Sequence, residues 1–261
     1  MFIKSDVLSS PHAFSTRRGG VSGLDHTKSL NLAFGRGDDD ETVLENLSLF
    51  AGAVGFDPKS VVSLPQIHSD KVFTVTKENR GDGYFLRENI AEGDGYVTLE
   101  RGVTLGIKTA DCAPILFEAV RDGQAIAIGA AHAGWRGTVG KIAAKCADRL
   151  SKISGVDKSQ ILACIGPCIH KCCYEVSEDV VLAARSGVGA GLADRFVVPN
   201  GHGKYQCDIA GLNRALLIEC GLLPQNVQIL DECTCCNPEK YFSHRYSGGV
   251  RGTMLSVIFM K

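Results

Sequence analysis

Nine short runs rich in valine and isoleucine, each bounded by turn-forming residues, constrain the fold of this chain more than any other feature. Such runs predict β-strands, and they cover residues 13–16, 61–67, 71–76, 103–109, 115–120, 125–131, 161–165, 227–230 and 254–260. Most follow one another with no helix between them, which favours a mixed α+β domain over a regular alternation of strands and helices. Nine strands suggest more than one sheet, and we expect two.

Helical periodicity of apolar residues is confined to four segments, which are residues 41–54, 138–153, 177–185 and 208–220. Asp40 is expected to cap the first helix, and Asp208 the last, which Gly221 should end. No low-complexity linker or long charge block divides the sequence. We therefore expect a single domain spanning residues 1–261, in which helices wrap a mixed β-sheet core.

The composition argues against several classes of partner. The chain has 28 Lys and Arg against 29 Asp and Glu and no dense basic run, which argues against nucleic acid. Without a signal-like N-terminus or an apolar run long enough to cross a bilayer, we expect a cytoplasmic protein with no membrane partner. Its 11 cysteines should then be reduced thiols, some of them ligands. The oligomeric state stays open.

Three side chains capable of metal binding or catalysis close apolar runs. Cys112 follows the run at 103–109, His132 ends the run at 125–131, and His68 comes directly after residues 61–67. A strand end aims a side chain while the turn keeps it accessible. Two imidazoles and one thiolate can hold zinc and leave a fourth position for water or substrate. The three are too far apart in sequence to form a local motif, and each alone is as readily a packed core residue.

Two other features of the sequence bear on ligand binding. The Gly-Trp-Arg-Gly-Thr turn after His132 can present backbone N–H groups and Arg136 to an anion. The remaining clustered cysteines form two groups, Cys164, Cys168, Cys172 and Cys173, then Cys233, Cys235 and Cys236. The first lacks ferredoxin-type intervals and the second lacks the paired C-x₂-C motifs of a zinc ribbon. We expect free thiols in both.

Read together, the segments of this chain resemble the YfiH or laccase-domain family, whose members carry the descriptions multicopper polyphenol oxidase, purine nucleoside phosphorylase and peptidoglycan editing factor. The resemblance covers nearly the whole chain. It is carried by Phe14-Ser-Thr-Arg-Arg-Gly-Gly-Val-Ser22, Ser29-Leu-Asn-Leu32, Gln66-Ile-His68, Gly93-Asp-Gly95, Thr109-Ala-Asp-Cys-Ala-Pro114, Ala131-His-Ala-Gly-Trp-Arg-Gly137, Ile165-Gly-Pro167, Cys173-Tyr-Glu-Val176 and Phe242-Ser-His-Arg245.

The resemblance implies that His68, Cys112 and His132 bind one zinc within a single α+β domain. It also implies phosphorolysis of purine nucleosides, with phosphate as co-substrate, accompanied by adenosine deamination and methylthioadenosine cleavage. A zinc held by three protein ligands can lower the pKa of a bound water towards neutrality, which suits attack on C6 of adenosine. The expected partners are therefore a small-molecule nucleoside and phosphate.

Four further residues receive expected roles. We expect Arg17 and the turn that contains Arg136 to hold the anion, and Asn31 to contact the nucleoside. Asp111 should support the cysteine turn or exchange a proton as a catalytic residue. Leu47 stands where the family commonly carries an arginine, so an anion contact from that helix is missing or comes from Arg17 or Arg36.

The C-terminal segment departs from the family as well. Residues 244–248 read His-Arg-Tyr-Ser-Gly, whereas the family usually has Tyr-Arg-Arg-Asp-Gly. Together with Leu47, this change bears on substrate preference rather than on the metal site.

Three alternatives remain. A copper-dependent polyphenol oxidase needs about ten histidine ligands, whereas this chain has 7 histidines, although copper could occupy the zinc site in vitro. A peptidoglycan-precursor editing hydrolase would use Cys112 as a nucleophile activated by a histidine. A non-catalytic zinc-binding protein would hold stoichiometric metal and turn over no nucleoside. Metal content and nucleoside turnover distinguish these alternatives.

Overall fold

The strands form three mixed or antiparallel sheets in a computed structural model that describes residues 1–201 and 203–261. Within these residues there are fourteen strands. Their bounds are β1 Phe2–Ile3, β2 His12–Ser15, β3 Val61–Val62, β4 Val72–Thr74, β5 Gly95–Thr98, β6 Thr104–Thr109, β7 Ala113–Arg121, β8 Gln124–Ala133, β9 Ile161–Ile165, β10 Glu175–Val176, β11 Val197–Gly201, β12 Lys204–Cys207, β13 Val227–Ile229 and β14 Met254–Phe259. Each of the nine predicted runs contains a strand, although the run at 61–67 forms one only at Val61–Val62, and the α+β class is confirmed.

Two large sheets contain most of the strands. One has the order β1-β2-β14-β6-β3, and the other has the order β13-β9-β7-β8-β5-β4. A third sheet, β10-β12-β11, was not predicted, because its strands are short and largely polar. Each large sheet mixes parallel and antiparallel pairs, with the parallel pair β3–β6 at one edge of the first and the parallel pairs β4–β5 and β13–β9 at the two edges of the second.

Seven helices lie in the described residues, and no one of them is both long enough and apolar enough to cross a bilayer. Their bounds are α1 Asp40–Val54, α2 Trp135–Val139, α3 Ile142–Ser154, α4 Glu178–Val188, α5 Ala190–Phe196, α6 Ile209–Glu219 and α7 His244–Ser247. Asp208 caps α6 as expected, by accepting a hydrogen bond from the Gly211 N–H.

Two helix predictions were wrong in detail. The cap of α1 is Asp39 rather than Asp40, because Asp39 has an extended backbone and its side chain accepts a hydrogen bond from the Thr42 N–H, whereas Asp40 is already helical. The single helix predicted over 138–153 is two helices. Lys141 adopts a left-handed conformation between them, and this interrupts the helical hydrogen bonds.

The core has apolar layers on both faces of each large sheet. Leu105 on β6 and Leu116 on β7 lie in the layer between the two sheets. Phe117, the next residue on β7, belongs instead to the layer beneath α3 and α6. Leu47 on α1 packs on the outer face of the first sheet. Because both faces of the central strands are covered, these strands are continuous apolar runs rather than alternating ones.

Candidate metal centre

The chain passes from the first large sheet to the second at two places, and the predicted site lies at these crossings. His68 is in the loop that joins β3 to β4, and Cys112 is in the tight turn that joins β6 to β7. His132 is on β8, where it pairs with Pro114 across the β7–β8 ladder. This pairing brings the end of β8 beside the cysteine turn, so three residues distant in sequence become neighbours.

The three side chains form a compact donor set. One donor atom from each of His68, Cys112 and His132 lies within 4.8 Å of the others. The Cys112 Sγ is 4.0 Å from the His68 Nε2, and the two imidazole rings meet edge to face with centroids 4.9 Å apart. His132 is buried, whereas His68 is exposed. The group is therefore anchored in the core on one side and open to solvent on the other.

Asp94 holds both histidines in place. Its Oδ1 accepts hydrogen bonds from the His132 Nδ1 at 2.8 Å and from the His68 backbone N–H at 3.0 Å. Its Oδ2 accepts from the backbone N–H groups of Ile67 and Ser69 and from the Ser69 hydroxyl. Because Asp94 binds Nδ1, the Nε2 of His132 is the nitrogen left for a metal.

The sequence did not predict the role of Asp94, although the Gly-Asp-Gly segment is one of those that carry the family resemblance. A carboxylate between two glycines at the start of β5 is a signal of close backbone approach. Position alone could not show that the carboxylate is fully buried and that all its partners come from the two histidine segments. That arrangement depends on the pairing of β5 with β8.

The electrostatics of the site favour a thiolate. Burial opposes ionisation of Cys112, but the adjacent His132 and the hydrogen bonds from both histidines outweigh it and lower the pKa of the thiol. Burial likewise opposes the charged form of His132, yet Cys112 and Asp94 together raise its pKa. Without metal, the pair is best described as a thiolate beside an imidazolium. Metal binding would displace the imidazolium proton, because a ligating histidine must be neutral.

Gly134 lets the backbone approach this donor set. A Cβ at this position would lie 3.0 Å from the Cys112 Sγ and 3.0 Å from the His68 Cδ2. A side chain here would displace both donors. This close approach explains the glycine in the Ala-His-Ala-Gly-Trp segment.

A basic cavity of about 250 Å³ opens on one side of the donor set. Its lining includes Arg36, Lys108 and Arg251 and, among the described residues, no carboxylate. Burial, followed by repulsion from Arg36, lowers the pKa of Lys108 to about 8 and that of Arg251 to about 10. The Nε of Arg251 is buried and has no hydrogen-bond partner in the described part of the chain. Three cations in a lining that contains no carboxylate form a site suited to an anion.

A second cavity of about 250 Å³ lies on the other side and is more apolar. Ile169, Tyr174 and Ile209 supply its apolar wall, while His244 and Arg245 supply polar groups. His68, Cys112 and Arg251 line both cavities, so the donor set lies at the point where the two meet. An aromatic and aliphatic wall with a few polar groups is typical of a pocket for a planar organic ligand.

Asp111 lies beside the second cavity but is held by other groups. Its Oδ1 accepts from the Thr234 hydroxyl at 2.6 Å, and its Oδ2 accepts from the Arg245 backbone N–H at 2.7 Å. The residue has a positive φ of 94°, which an aspartate adopts only when the surroundings require it. Of the two roles expected for Asp111, this geometry favours support of the cysteine turn over proton exchange.

Two residues expected to contact substrate make hydrogen bonds to other parts of the protein. Asn31 is fully buried; its amide nitrogen donates to the Ala33 carbonyl and to Asp38, and its oxygen accepts from the Thr253 backbone N–H. Arg17 donates to three backbone carbonyls and stacks on Phe242. Neither residue lines the two cavities at the donor set. Contact of either with substrate stays a prediction.

Arg136 is exposed and stacks on Trp135, 4.3 Å from the ring centroid. It lines a separate surface cavity with Asp179 and Lys204, and that cavity does not include the donor set. Leu47 is buried in the core beneath α1, while Arg36, the other residue considered as a replacement for the family arginine, lines the basic cavity. The cations that line the two cavities at the donor set are therefore Arg36, Lys108, Arg251 and Arg245.

Comparisons with known proteins agree with this geometry. Residues 11–261 match the family described as multi-copper polyphenol oxidoreductase laccase. The chain is 35% identical over 252 residues to purine nucleoside phosphorylase YlmD of Bacillus subtilis, covering 95% of this chain and 87% of that protein. It is 34% identical over 250 residues to adenosine deaminase RL5 of an unknown prokaryotic organism, covering 95% and 94%.

Among solved structures, the hypothetical protein YfiH of Bacillus licheniformis superimposes with a TM-score of 0.89 at 30% identity. The match covers 96% of this chain and 92% of that one. The fold, the sequence and the segments that build the donor set thus lead to one assignment. The chain belongs to the laccase-domain family described as multi-copper polyphenol oxidoreductase laccase.

Proposed function

We propose that this protein is a zinc-dependent purine nucleoside phosphorylase of the cytoplasm that also deaminates adenosine and cleaves methylthioadenosine. One observation carries the proposal: a basic cavity and an apolar, partly aromatic cavity meet at His68 and Cys112, two of the three members of the donor set. Phosphorolysis needs an anion and a nucleoside side by side. The names of the relatives, purine nucleoside phosphorylase and adenosine deaminase, support the same reaction classes.

The donor set fits zinc. Two imidazole nitrogens and one thiolate are ligands that zinc accepts, and three protein ligands leave an open position of the kind found in catalytic sites. Asp94 supplies the carboxylate that such histidines usually carry on their other nitrogen. When bound, zinc would act as a Lewis acid towards an oxygen of phosphate or of water.

The protein's own residues divide the remaining work. Arg36, Lys108 and Arg251 bind phosphate and hold one of its oxygens towards C1′ of the ribose. That oxygen forms the new bond to C1′ while the bond from C1′ to the purine nitrogen breaks. The electron pair of the broken C1′–N bond goes to the base. Ile169 and Tyr174 hold the purine ring, while His244 donates a hydrogen bond to the departing base. The proton that the free purine carries comes from hydrogen phosphate, which loses it as its oxygen bonds to C1′. The products are the free purine and ribose 1-phosphate.

A cysteine hydrolase acting on a peptidoglycan precursor is the second candidate, and the Cys112–His132–Asp94 arrangement favours it. A thiol, a histidine and an orienting carboxylate are the parts of a cysteine nucleophile. His68 argues for the metal, because a nucleophile with its base needs no third donor within 4.8 Å. Metal content separates the two candidates.

The test uses zinc-loaded protein with adenosine, inosine or methylthioadenosine in phosphate buffer, followed by chromatography of bases, inosine and ribose 1-phosphate. We expect base release with phosphate and inosine formation from adenosine without it. Cys112→Ala should lower phosphorolysis by more than about 100-fold, because even residues that only support metal ligands contribute 10–100-fold. If wild-type protein releases no base and forms no inosine, the proposal fails.

Arg36→Ala tests the basic cavity separately. Loss of one charged hydrogen bond to phosphate should raise the KM for phosphate by roughly 10-fold or more, while deamination, which consumes no phosphate, should change less. Arg149→Ala, at an exposed arginine of α3, is the matched control. Equal loss of both activities in Arg36→Ala would show that this cavity does not bind phosphate.

A further inference from the structure

Two cysteine groups that are far apart in sequence meet at a second place in the fold. The Sγ atoms of Cys172, Cys173, Cys233 and Cys236 all lie within 4.8 Å of one another. Cys236 is central, with its Sγ 3.4 Å from that of Cys172 and 3.3 Å from that of Cys173. None of the four belongs to the donor set at His68.

Neither a disulfide bond nor apolar burial explains why the four thiols lie together. All four are free, and separations of 3.3 Å and more far exceed the roughly 2.05 Å of a disulfide bond. Cys172 and Cys236 are exposed, so apolar burial does not account for their position. Converging thiols of this kind can lose their protons to a cation that their sulfurs then surround.

We propose that Cys172, Cys173, Cys233 and Cys236 bind a zinc ion in a closed tetrahedral site that joins two loops and shapes the second cavity. Zinc with four sulfur ligands at about 2.3 Å places those sulfurs about 3.8 Å apart, between the closest separation of 3.3 Å and the limit of 4.8 Å. Binding displaces the thiol protons into solvent. A mononuclear ion fits sulfurs in mutual contact, whereas an iron–sulfur cluster of several atoms would force them further apart.

The backbone around the cysteines supports this assignment. The His170 N–H donates to the Cys233 Sγ at 3.4 Å, a hydrogen bond that stabilises a ligating sulfur. The Thr234 N–H donates to the Cys168 carbonyl, and the Asn237 side chain donates to the Cys233 carbonyl. Cys233 and Cys236 have the C-x₂-C spacing of one half of a zinc ribbon, and the adjacent Cys172 and Cys173 supply the other half in this fold.

The four-cysteine cluster is connected to the donor set at His68 through Asp111. Thr234, inside the C-x₂-C segment, donates to one oxygen of Asp111, and the Arg245 backbone donates to the other. The Arg245 guanidinium in turn donates to the Cys173 carbonyl at 2.9 Å. Metal at the four cysteines therefore fixes the loop that carries Ile169 and Tyr174 to the second cavity, and through the Cys173 carbonyl it also holds Arg245 of α7 there.

The first experiment measures metal in desalted protein expressed with zinc. We expect about two zinc ions per chain in the wild type and about one in both the double variant Cys172→Ala/Cys236→Ala and the variant His68→Ala. Cys220→Ala, at a half-buried thiol of the α6 C-terminus outside both sites, should keep about two. A double variant with the wild-type zinc content would overturn the proposal, as would iron with acid-labile sulfide at these cysteines.

A second measurement needs no cysteine substitution, so it stands even where the double variant does not fold. Zinc X-ray absorption of His68→Ala should report about four sulfur ligands, and that of wild-type protein about two to three per zinc, averaged over both sites. A protein whose zinc has about one sulfur ligand has no such site. Mass spectrometry that finds Cys236 in a disulfide in freshly purified protein would also refute it. Nucleoside turnover is not a readout here, so an inactive protein that holds this zinc separates failure of the proposed function from failure of this inference.

Discussion

The donor set at His68 and the four-cysteine cluster differ in how the fold supports them. His132 lies on β8, Cys112 adjoins β7, and the buried Asp94 carboxylate holds both histidine segments. The cysteines lie instead on loops outside the strands, and two of them are exposed. Three donors beside two cavities leave room for substrate, whereas four donors that face one another leave none. If both groups bind metal as proposed, donor number and support are what distinguish a reactive site from a structural one.

The largest expected effect comes from removing the support that only the first site has. Asp94→Asn cannot accept all the hydrogen bonds that the carboxylate accepts, and its amide N–H₂ would face an N–H donor. We expect a 10- to 100-fold loss of zinc affinity at the His68 site and unchanged affinity at the cysteines. Titration against a competing chelator measures both. Asp148→Asn, at an exposed carboxylate of α3, is the control.

If Asp94→Asn bound zinc at the His68 site with wild-type affinity, the two sites would not differ in support. The donor set would then not need a carboxylate that accepts hydrogen bonds from its histidine segments. An equal loss at both sites would mean that the variant disturbs the fold as a whole. Circular dichroism of the variant distinguishes that outcome from a local effect.

Phosphate binding in the basic cavity on the open side of the first site should depend on pH. Burial and Arg36 lower the pKa of Lys108 to about 8, so its positive charge is present below that pH and is lost as the pH rises through it. The KM for phosphate should therefore rise about tenfold between about pH 7 and pH 9, as one charged hydrogen bond disappears. In Lys108→Arg the guanidinium stays charged and the rise should vanish.

Steady-state kinetics at several pH values check this prediction, with Lys152→Arg on α3 as the control. A Lys108→Arg variant that keeps the wild-type pH profile would assign the dependence to another group. The maximal rate should be less sensitive than the KM, because Lys108 binds phosphate in both the ground state and the transition state.

The smallest effect tests the connection between the two regions. Thr234→Val removes the hydroxyl that donates to Asp111 and keeps the shape of the side chain. An Asp111 oxygen left without this partner should cost about 1–3 kcal/mol in the free energy of unfolding, and activity should fall less than in Asp94→Asn. Chemical denaturation and nucleoside assays measure the two quantities. Stability equal to that of wild type would mean that this hydrogen bond does not couple the regions.

Much of the fold followed from local pattern. The nine apolar runs became strands because apolar side chains on β-branched residues fit a buried sheet, and Asp208 caps its helix as its residue type predicts. The strands of the small third sheet were missed, because they are short and half exposed. The helix predicted over 138–153 is interrupted at Gly140 and Lys141. The sequence did not predict this break, because the spacing of apolar residues does not reveal a residue with a left-handed backbone.

The candidate site was predictable only in part. The sequence indicates His68, Cys112 and His132 at strand ends, and the family resemblance joins them; in the tertiary structure their donor atoms lie together. Asp94, Lys108 and Arg251 were not predicted: the glycines around Asp94 indicate only a close backbone approach, and a single cation in or near a strand, such as Lys108 or Arg251, has no signature in sequence. The two cysteine groups also had no motif that linked them, because half of the four-sulfur set comes from each of two distant loops.

By itself, the sequence determined the strand-rich α+β class, the absence of a dense basic run and the residue types available for metal binding, because these follow from composition and periodicity along the chain. The tertiary structure alone decided which of those residues share a site. Strand register sets His132 beside the cysteine turn, and the pairing of β5 with β8 brings Asp94 to both histidines. Such contacts join residues far apart in the chain, so they depend on the packing of whole sheets rather than on any local segment.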